Sequence, residues 1–109
     1  MTDDALLAAL ADARRRKDQA DRDMRLLLAY AREIVTPRPY RLADLAQATG
    51  LSISGIRIAY TDCDIQHARQ LIAGSPGGGY RQHIEAAVTT LLAAQARHLP
   101  GPAAMPAHR

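Results

Sequence analysis

The chain contains no tryptophan and no phenylalanine, and tyrosine, with four residues among 109, is the only one of the three large aromatic types present. A core without large rings must be built from alanine, leucine, isoleucine and valine, which favours closely packed helices and some burial by a partner subunit. Cysteine is equally scarce. Cys63 stands alone, which excludes an intrachain disulfide and fits a reducing compartment.

Long apolar runs are also missing from the sequence. No stretch of about 18 apolar residues occurs, so we expect no transmembrane helix and no membrane partner. The acidic Asp3 and Asp4 near the start are unlike a secretory signal. We therefore expect a cytoplasmic protein, which would be nucleoid-associated if it binds DNA.

Catalytic motifs are absent as well. The four histidines are scattered, and no Ser/His/Asp set or carboxylate pair stands in a supporting motif. We expect no enzymatic activity, no cofactor and no metal. The formal charge of +3 and the pI near 9.5 are mildly basic, which is compatible with nucleic acid as a partner.

The N-terminal third predicts one continuous helix. Neither glycine nor proline occurs before Pro37, and Thr2 is a plausible N-cap for a helix that continues to Val35. Apolar positions recur at alternating steps of four and three residues over about four heptads. This seam consists of Leu6, Leu10, Ala13, Lys17, Ala20, Met24, Leu27, Ala31 and Ile34.

The seam predicts a dimerisation arm over residues 1–35. The residues expected to hold the dimer are Leu6, Leu10, Lys17, Met24, Leu27 and Ile34. With Leu6 at heptad position d, Arg16 falls at g and Asp21 at e, which attract each other in a parallel dimer. Asp21 and Arg25 would also attract within one chain. The pattern leaves open a parallel dimer, an antiparallel dimer, or an arm whose apolar ends pack on its own domain.

A stiff link follows the arm. Pro37 and Pro39 end the helix and hold the residues before them in extended geometry. We expect Tyr40 to pack under the next helix. Arg38 and Arg41 come just before that helix, where they can reach a DNA backbone.

The stretch LADLAQATGLSISGIRIAY, residues 42–60, predicts two short helices joined by a tight turn. It resembles the helix-turn-helix of bacterial transcription regulators and of the promoter-binding domain of sigma factors. That family has a small fifth residue, a ninth glycine, an apolar tenth and a branched apolar fifteenth residue. Counted from Leu42, these positions are occupied by Ala46, Gly50, Leu51 and Ile56.

The resemblance implies that the second helix, Ser52 to Tyr60, lies in the major groove of DNA. It implies groove-facing positions at Ser52, Ser54, Gly55 and Arg57, and backbone contacts near Arg41 and Gln47. Arg57 is the only long polar donor on the outer face of this helix, and arginine is the commonest specific partner of guanine. The full set of predicted DNA contacts is Arg38, Arg41, Gln47, Ser52, Ile53, Ser54, Gly55, Arg57 and Ile58.

Two residues of the second helix have an alternative placement. Ile53 and Ile58 can contact thymine methyl groups, although we expect one of them to be buried. Tyr60 is expected in the core. The competing interpretation of the whole stretch is an ordinary αα-hairpin without DNA binding.

Two further helices are predicted after the helix-turn-helix. The first is capped by Thr61 or Asp62, and on it we expect a buried thiol at Cys63 and a surface imidazole at His67. A glycine-rich loop follows that lacks the phosphate-binding pattern. A last helix over about Tyr80–His98 should close the core. Its expected apolar face consists of Ile84, Val88, Leu91 and Leu92.

Together these features predict an all-α fold: a long N-terminal helix, then a helix-turn-helix domain of about four helices without a wing, over residues 36–98. Residues 99–109 are expected to be disordered. The predicted function is sequence-specific binding of double-stranded DNA by a homodimeric transcription regulator. One alternative is an architectural or plasmid-partition DNA-binding protein. Another is a coiled-coil adaptor that contacts a protein such as RNA polymerase and binds no DNA.

Overall fold

A computed structural model describes residues 4–74 and 78–97, and these residues form an all-α fold of five helices. The helices are α1 (Ala5–Glu33), α2 (Leu42–Thr49), α3 (Ile53–Ile58), α4 (Asp62–Ala73) and α5 (Ile84–Arg97). A short 3₁₀ turn, Arg81–His83, precedes α5. In the described ranges no strand forms, and one isolated β-bridge joins Thr36 to Tyr80. The predicted fold class is therefore confirmed.

Helix α1 is about 43 Å long at 1.5 Å per residue. It begins at Ala5 because the carboxylate of Asp4 accepts hydrogen bonds from the backbone N–H groups of Leu6 and Leu7, at 2.9 and 3.2 Å. The predicted start was wrong, since Asp4 is the N-cap; Thr2 itself lies outside the described residues. The helix ends at Glu33, two residues before the predicted end at Val35.

The two halves of α1 have different surroundings. Leu6, Leu7 and Leu10 are 67%, 62% and 57% exposed, whereas Leu26 and Tyr30 are each 2% exposed. The buried residues of the second half pack against α4 and α5. The core cluster consists of Leu26, Tyr30, Val35, Ala68, Ile72, Ala87 and Leu91. The second half of the predicted arm thus supplies core residues to the segment that follows it.

Helices α4 and α5 complete the core. Thr61 caps α4 in a capping box with Asp64, which fits one of the two predicted caps. Helix α5 begins at Ile84 instead of about Tyr80, because the residues before it, Arg81–His83, form a 3₁₀ turn. Its core face uses Leu91 and small alanines, while Leu92 is 37% exposed, so the expected core role of Leu92 was wrong. His98 and the predicted disordered tail, residues 99–109, lie outside the described residues.

The glycine-rich loop approaches the end of α1 closely at Gly79. The Thr36 N–H donates to the Gly79 carbonyl at 2.9 Å, and the Arg81 N–H donates to the Thr36 carbonyl at 2.8 Å. A Cβ atom on Gly79 would lie 2.7 Å from the carbonyl oxygen of Ile34 and 2.9 Å from its Cγ2. Because backbone cannot move aside cheaply, this position requires glycine.

The Gly79→Ala substitution should therefore destabilise the fold by about 1–3 kcal/mol through overpacking. Gly74→Ala is the matched control, because no atom lies within 4 Å of a Cβ placed there. Urea denaturation of both variants measures the difference. Equal midpoints for the two variants would mean that the loop does not approach Ile34 as described.

Candidate nucleic-acid interface

The turn between α2 and α3 is built from local signals. Gly50 has the left-handed backbone expected of it, with φ of 79°, and its N–H donates to the Ala46 carbonyl at 2.9 Å. Ser52 caps α3, since its Oγ accepts from the Gly55 N–H at 2.9 Å. The predicted pair of helices and the predicted turn are confirmed as structure.

Helix α3 is shorter than predicted. It spans Ile53–Ile58, and the N–H of Ala59 closes it by donating to the Ile56 carbonyl at 3.2 Å. The prediction that it continues to Tyr60 was wrong because the chain already turns there, and Thr61 is extended as the cap of α4.

One residue anchors α3 and the others face outwards. Ile56 is fully buried, at 0% exposure, while Ile53 and Ile58 are 44% and 82% exposed. The expectation that Ile53 or Ile58 is buried was therefore wrong, because Ile56 fills that role alone. Gly55 is half-buried beside the Ser52 cap. The exposed residues of the cap and helix are Ser52, Ile53, Ser54, Arg57 and Ile58.

The exposed side of α3 carries one charge. Arg57 is exposed, and the segment from Ser52 to Ile58 contains no acidic residue. Its serine and glycine neighbours have very small side chains. A flat partner can therefore approach the helix backbone closely. A single guanidinium on such a surface can donate two parallel hydrogen bonds to one acceptor edge.

Two exposed arginines, Arg38 and Arg41, precede α2. Gln47, a neutral residue on α2 itself, is also exposed. The Arg41 Nε lies 3.6 Å from the Asp44 Oδ2, and both side chains are mostly exposed, so Asp44 offsets part of that positive charge.

A third arginine joins this surface from far along the chain. The Arg81 guanidinium lies over the Tyr40 ring, 4.2 Å from its centroid, and Arg81 Nη2 donates to the Arg38 carbonyl at 3.5 Å. Arg81 was not predicted from the sequence, because nothing in its neighbourhood marks it. Tyr40, which was predicted to pack under the next helix, is half-buried against the core cluster that α1, α4 and α5 form.

The last turn of α1 holds both ends of the α2–α3 hairpin. Arg32 Nη1 donates to the Tyr40 carbonyl at 2.6 Å, just before α2. The Tyr60 hydroxyl donates to Glu33 Oε2 at 2.8 Å, just after α3. Arg32 and Glu33 are thus positioning residues, and no local sequence pattern predicts this role for them. Tyr60, expected in the core, is half-buried instead because its hydroxyl reaches this carboxylate.

Burial, the hydrogen bond to Glu33 and the charge of Glu33 together raise the pKa of Tyr60 to about 12. The protonated hydroxyl is the form that donates to the carboxylate. Its stabilising effect is therefore fully present below the ordinary tyrosine pKa of about 10. It is lost as the pH rises from about 10 to about 12.

Tyr60→Phe should consequently cost about 1 kcal/mol of stability at neutral pH. The gap between wild type and variant should close as the pH is raised above about 10. Tyr80→Phe is the control, since Tyr80 is 60% exposed. Chemical denaturation between pH 7 and 11 makes the comparison. A gap that persists unchanged at pH 11 would contradict the Tyr60–Glu33 bond.

The predicted dimerisation residues fall into two groups. Leu6, Leu10 and Lys17 are exposed, and the Lys17 Nζ lies 3.1 Å from the Asp21 Oδ2 of its own chain. Met24, Leu27 and Ile34 are half-buried against their own domain.

Charge pairs along α1 differ in part from those expected. Arg25 lies 3.6 Å from Asp64 of α4 instead of bonding Asp21, because it faces the neighbouring helix. Arg16 donates to Asp12 at 3.0 Å, and this guanidinium lowers the pKa of Asp12.

Cys63 is exposed, contrary to the expected buried thiol, because it lies near the start of α4 and away from the inward face of Ala68 and Ile72. His67, expected at the surface, is half-buried. Among the residues whose structure is described, no group of three or more His, Cys, Asp or Glu side chains could hold a metal ion. No helix within them is both long and apolar enough to cross a bilayer.

No protein-family model matches the chain, and no match to it was found among curated proteins or solved structures.

Proposed function

We propose that the chain binds double-stranded DNA sequence-specifically, as a dimeric transcription regulator that places α3 in the major groove. The observation that carries this proposal is the composition of α3: Ile56 is buried, and every exposed side chain around it is small, apolar or positively charged. The major groove of DNA, which is lined by phosphates and base edges, can bind such a surface. The negatively charged phosphates would repel an acidic one.

Arg57 has the central role in this proposal. Its guanidinium would donate to O6 and N7 of a guanine, while Ser52 and Ser54 let the helix approach deeply. Ile53 and Ile58, both exposed, suit contact with thymine methyl groups.

Phosphate contacts would come from the residues beside α2. Arg38, Arg41 and Arg81 form the basic side of the interface, and Gln47 adds a neutral donor. Contacts of this kind position a protein on DNA without selecting a sequence, and they make affinity depend steeply on salt. A protein with this activity would reside in the cytoplasm on the nucleoid.

A protein–protein adaptor is the second candidate, and the exposed apolar residues favour it. Leu6, Leu7 and Leu10 at one end of α1 and Ile58 on α3 would suit a protein partner such as RNA polymerase.

A gel shift against random genomic fragments at low and moderate salt tests the two candidates. A DNA-binding protein should shift fragments at low salt, more weakly at moderate salt, and with selected fragments retained longest. An adaptor should produce no shift at either salt, and that result would overturn the proposed function.

A further inference from the structure

We propose that two copies of the chain associate through antiparallel α1 helices, with the N-terminal leucines of one copy seated in an apolar groove of the other. This inference rests on the dimeric part of the proposed function and gives that dimer a geometry.

The groove is an unfilled apolar surface beside the second half of α1. It has a volume of about 270 Å³ and lies between α1, α2 and α5. Its lining includes Met24, Leu27 and Ala31 of α1, Leu45 of α2 and Val88 of α5. An apolar cavity of about 150 Å³ can hold benzene, so this groove has room for one or two leucine side chains.

The matching apolar side chains are at the other end of the same helix. Leu6, Leu7 and Leu10 are each more than half exposed. Leu6 and Leu10 belong to the same heptad stripe as the groove residues Leu27 and Ala31. A second copy of α1, running in the opposite direction, therefore brings the exposed leucines to the open groove.

One antiparallel register pairs these residues. It places Leu10 opposite the partner's Leu27 and Leu6 opposite the partner's Ala31, and a two-fold axis repeats both contacts. In the middle of the seam, Lys17 then lies opposite the partner's Ala20. A parallel pair would instead set the two Lys17 ammonium groups against each other, at a position that faces the partner directly.

Charge complementarity favours the same register. At the positions that flank the seam, Arg14 lies opposite the partner's Asp21, and Arg16 lies opposite the partner's Asp23. The two-fold axis repeats each of these two attractive pairs. A parallel dimer has only the pair between Arg16 and the partner's Asp21, also repeated, so it has half as many attractive pairs across the seam.

The charged side chains along α1 already have polar partners within their own chain. These intrachain pairs do not prevent the pairs across the dimer. Arg14 lies 3.8 Å from Asp18, and Lys17 lies 3.1 Å from Asp21, and these four side chains are about half exposed or more. Arg16 donates to the exposed Asp12 at 3.0 Å, and the half-buried Asp23 accepts from Gln19 at 3.0 Å. Exposed pairs at this spacing contribute little to stability, so they can be traded for contacts across the dimer.

A spin-label distance on the full chain tests the orientation. Ala8 is exposed and lies on the outer side of α1, away from the seam. An Ala8→Cys variant is labelled in a Cys63→Ser background, since Cys63 is exposed and would otherwise take the label. The antiparallel register predicts a separation of about 32 Å or more between labels. A parallel dimer would place the labels at the same height, within about 25 Å across a helix spacing of 8–10 Å.

Leu10→Asp and Ala8→Asp provide a matched pair for the contact itself. Both residues are exposed in the single chain, so both variants should keep the wild-type helical circular dichroism. In sedimentation, Leu10→Asp should be a monomer where Ala8→Asp remains a dimer. A Leu10→Asp protein that still dimerises as wild type would overturn the inference and leave the groove to another occupant.

The outcomes separate this inference from DNA binding, because the distance is measured without DNA. A short label separation, or a wild-type monomer, overturns the antiparallel dimer even if the gel shift is positive. An antiparallel dimer that shifts no DNA supports the inference and overturns the proposed function.

Discussion

Replacing Ile56 by alanine should destabilise the chain by about 2–5 kcal/mol, because it leaves a cavity beneath α3. Among the residues that the structure describes, Ile56 is one of the two largest fully buried side chains, and it is the only buried residue of its helix. A domain of this size has a total stability of about 5–15 kcal/mol, so the loss is a large fraction of it. We also expect the variant to lose DNA affinity, since α3 has no other anchor in the interior.

Two controls separate these effects. Ile58→Ala removes the same atoms from a residue that is 82% exposed, and it should change stability by less than about 0.5 kcal/mol. Leu91→Ala creates a cavity in the main core, far along the chain from α3, and should reduce stability without a comparable loss of DNA affinity where the protein remains folded. Urea denaturation and DNA titration measure the two quantities. If Ile56→Ala is as stable as Ile58→Ala, the described anchoring of α3 is wrong.

Arg57→Ala should weaken binding to a preferred duplex by about 1–3 kcal/mol, which is about 5- to 150-fold. The reason is that Arg57 is the one long donor on the exposed side of α3, and in the proposed complex its removal would leave a guanine edge without a partner. Binding to unrelated duplexes should change much less. The preference at one base pair of the site should relax accordingly.

Arg15→Ala is the control for the loss of charge. Arg15 is an exposed arginine in the first half of α1, paired with Asp12 at 3.4 Å, so its removal changes the net charge equally. Fluorescence anisotropy titrations with preferred and unrelated duplexes compare the variants. Equal losses for the two variants would show that Arg57 contributes only charge, and an unchanged affinity for every duplex would remove α3 from the interface.

The hairpin could be predicted because its signals are local. Gly50 supplies the left-handed turn, Ser52 supplies the cap, and both lie within a few residues of the backbone groups that they serve. It was harder to predict which side chains of α3 are buried. Three isoleucines share a six-residue helix, and only the packing of the whole domain decides that Ile56 is buried while Ile53 and Ile58 are not.

Contacts between distant residues could not be inferred from the sequence. The bond from Tyr60 to Glu33 and the stacking of Arg81 on Tyr40 join segments far apart in the chain. Neither contact belongs to a motif. They nevertheless hold the start of α2 and the end of α3, so the candidate interface depends on them.

Helix α1 shows the limit of periodicity. Its apolar stripe continues through both halves, and periodicity alone treats Leu10 and Leu27 alike. In the structure Leu10 is exposed, while Leu27 packs on the domain's own core. A heptad pattern therefore marks one face of a helix, but it does not tell which residues of that face the chain's own domain buries.

Selection of bound duplexes from a random library tests the central claim, that α3 contacts DNA bases, most directly. The wild-type chain should enrich one motif, with half-sites about one helical turn apart, and Arg57→Ala should lose preference at one position of each half-site. Bound duplexes with the same base composition as the starting library, at every salt concentration tested, would contradict the claim.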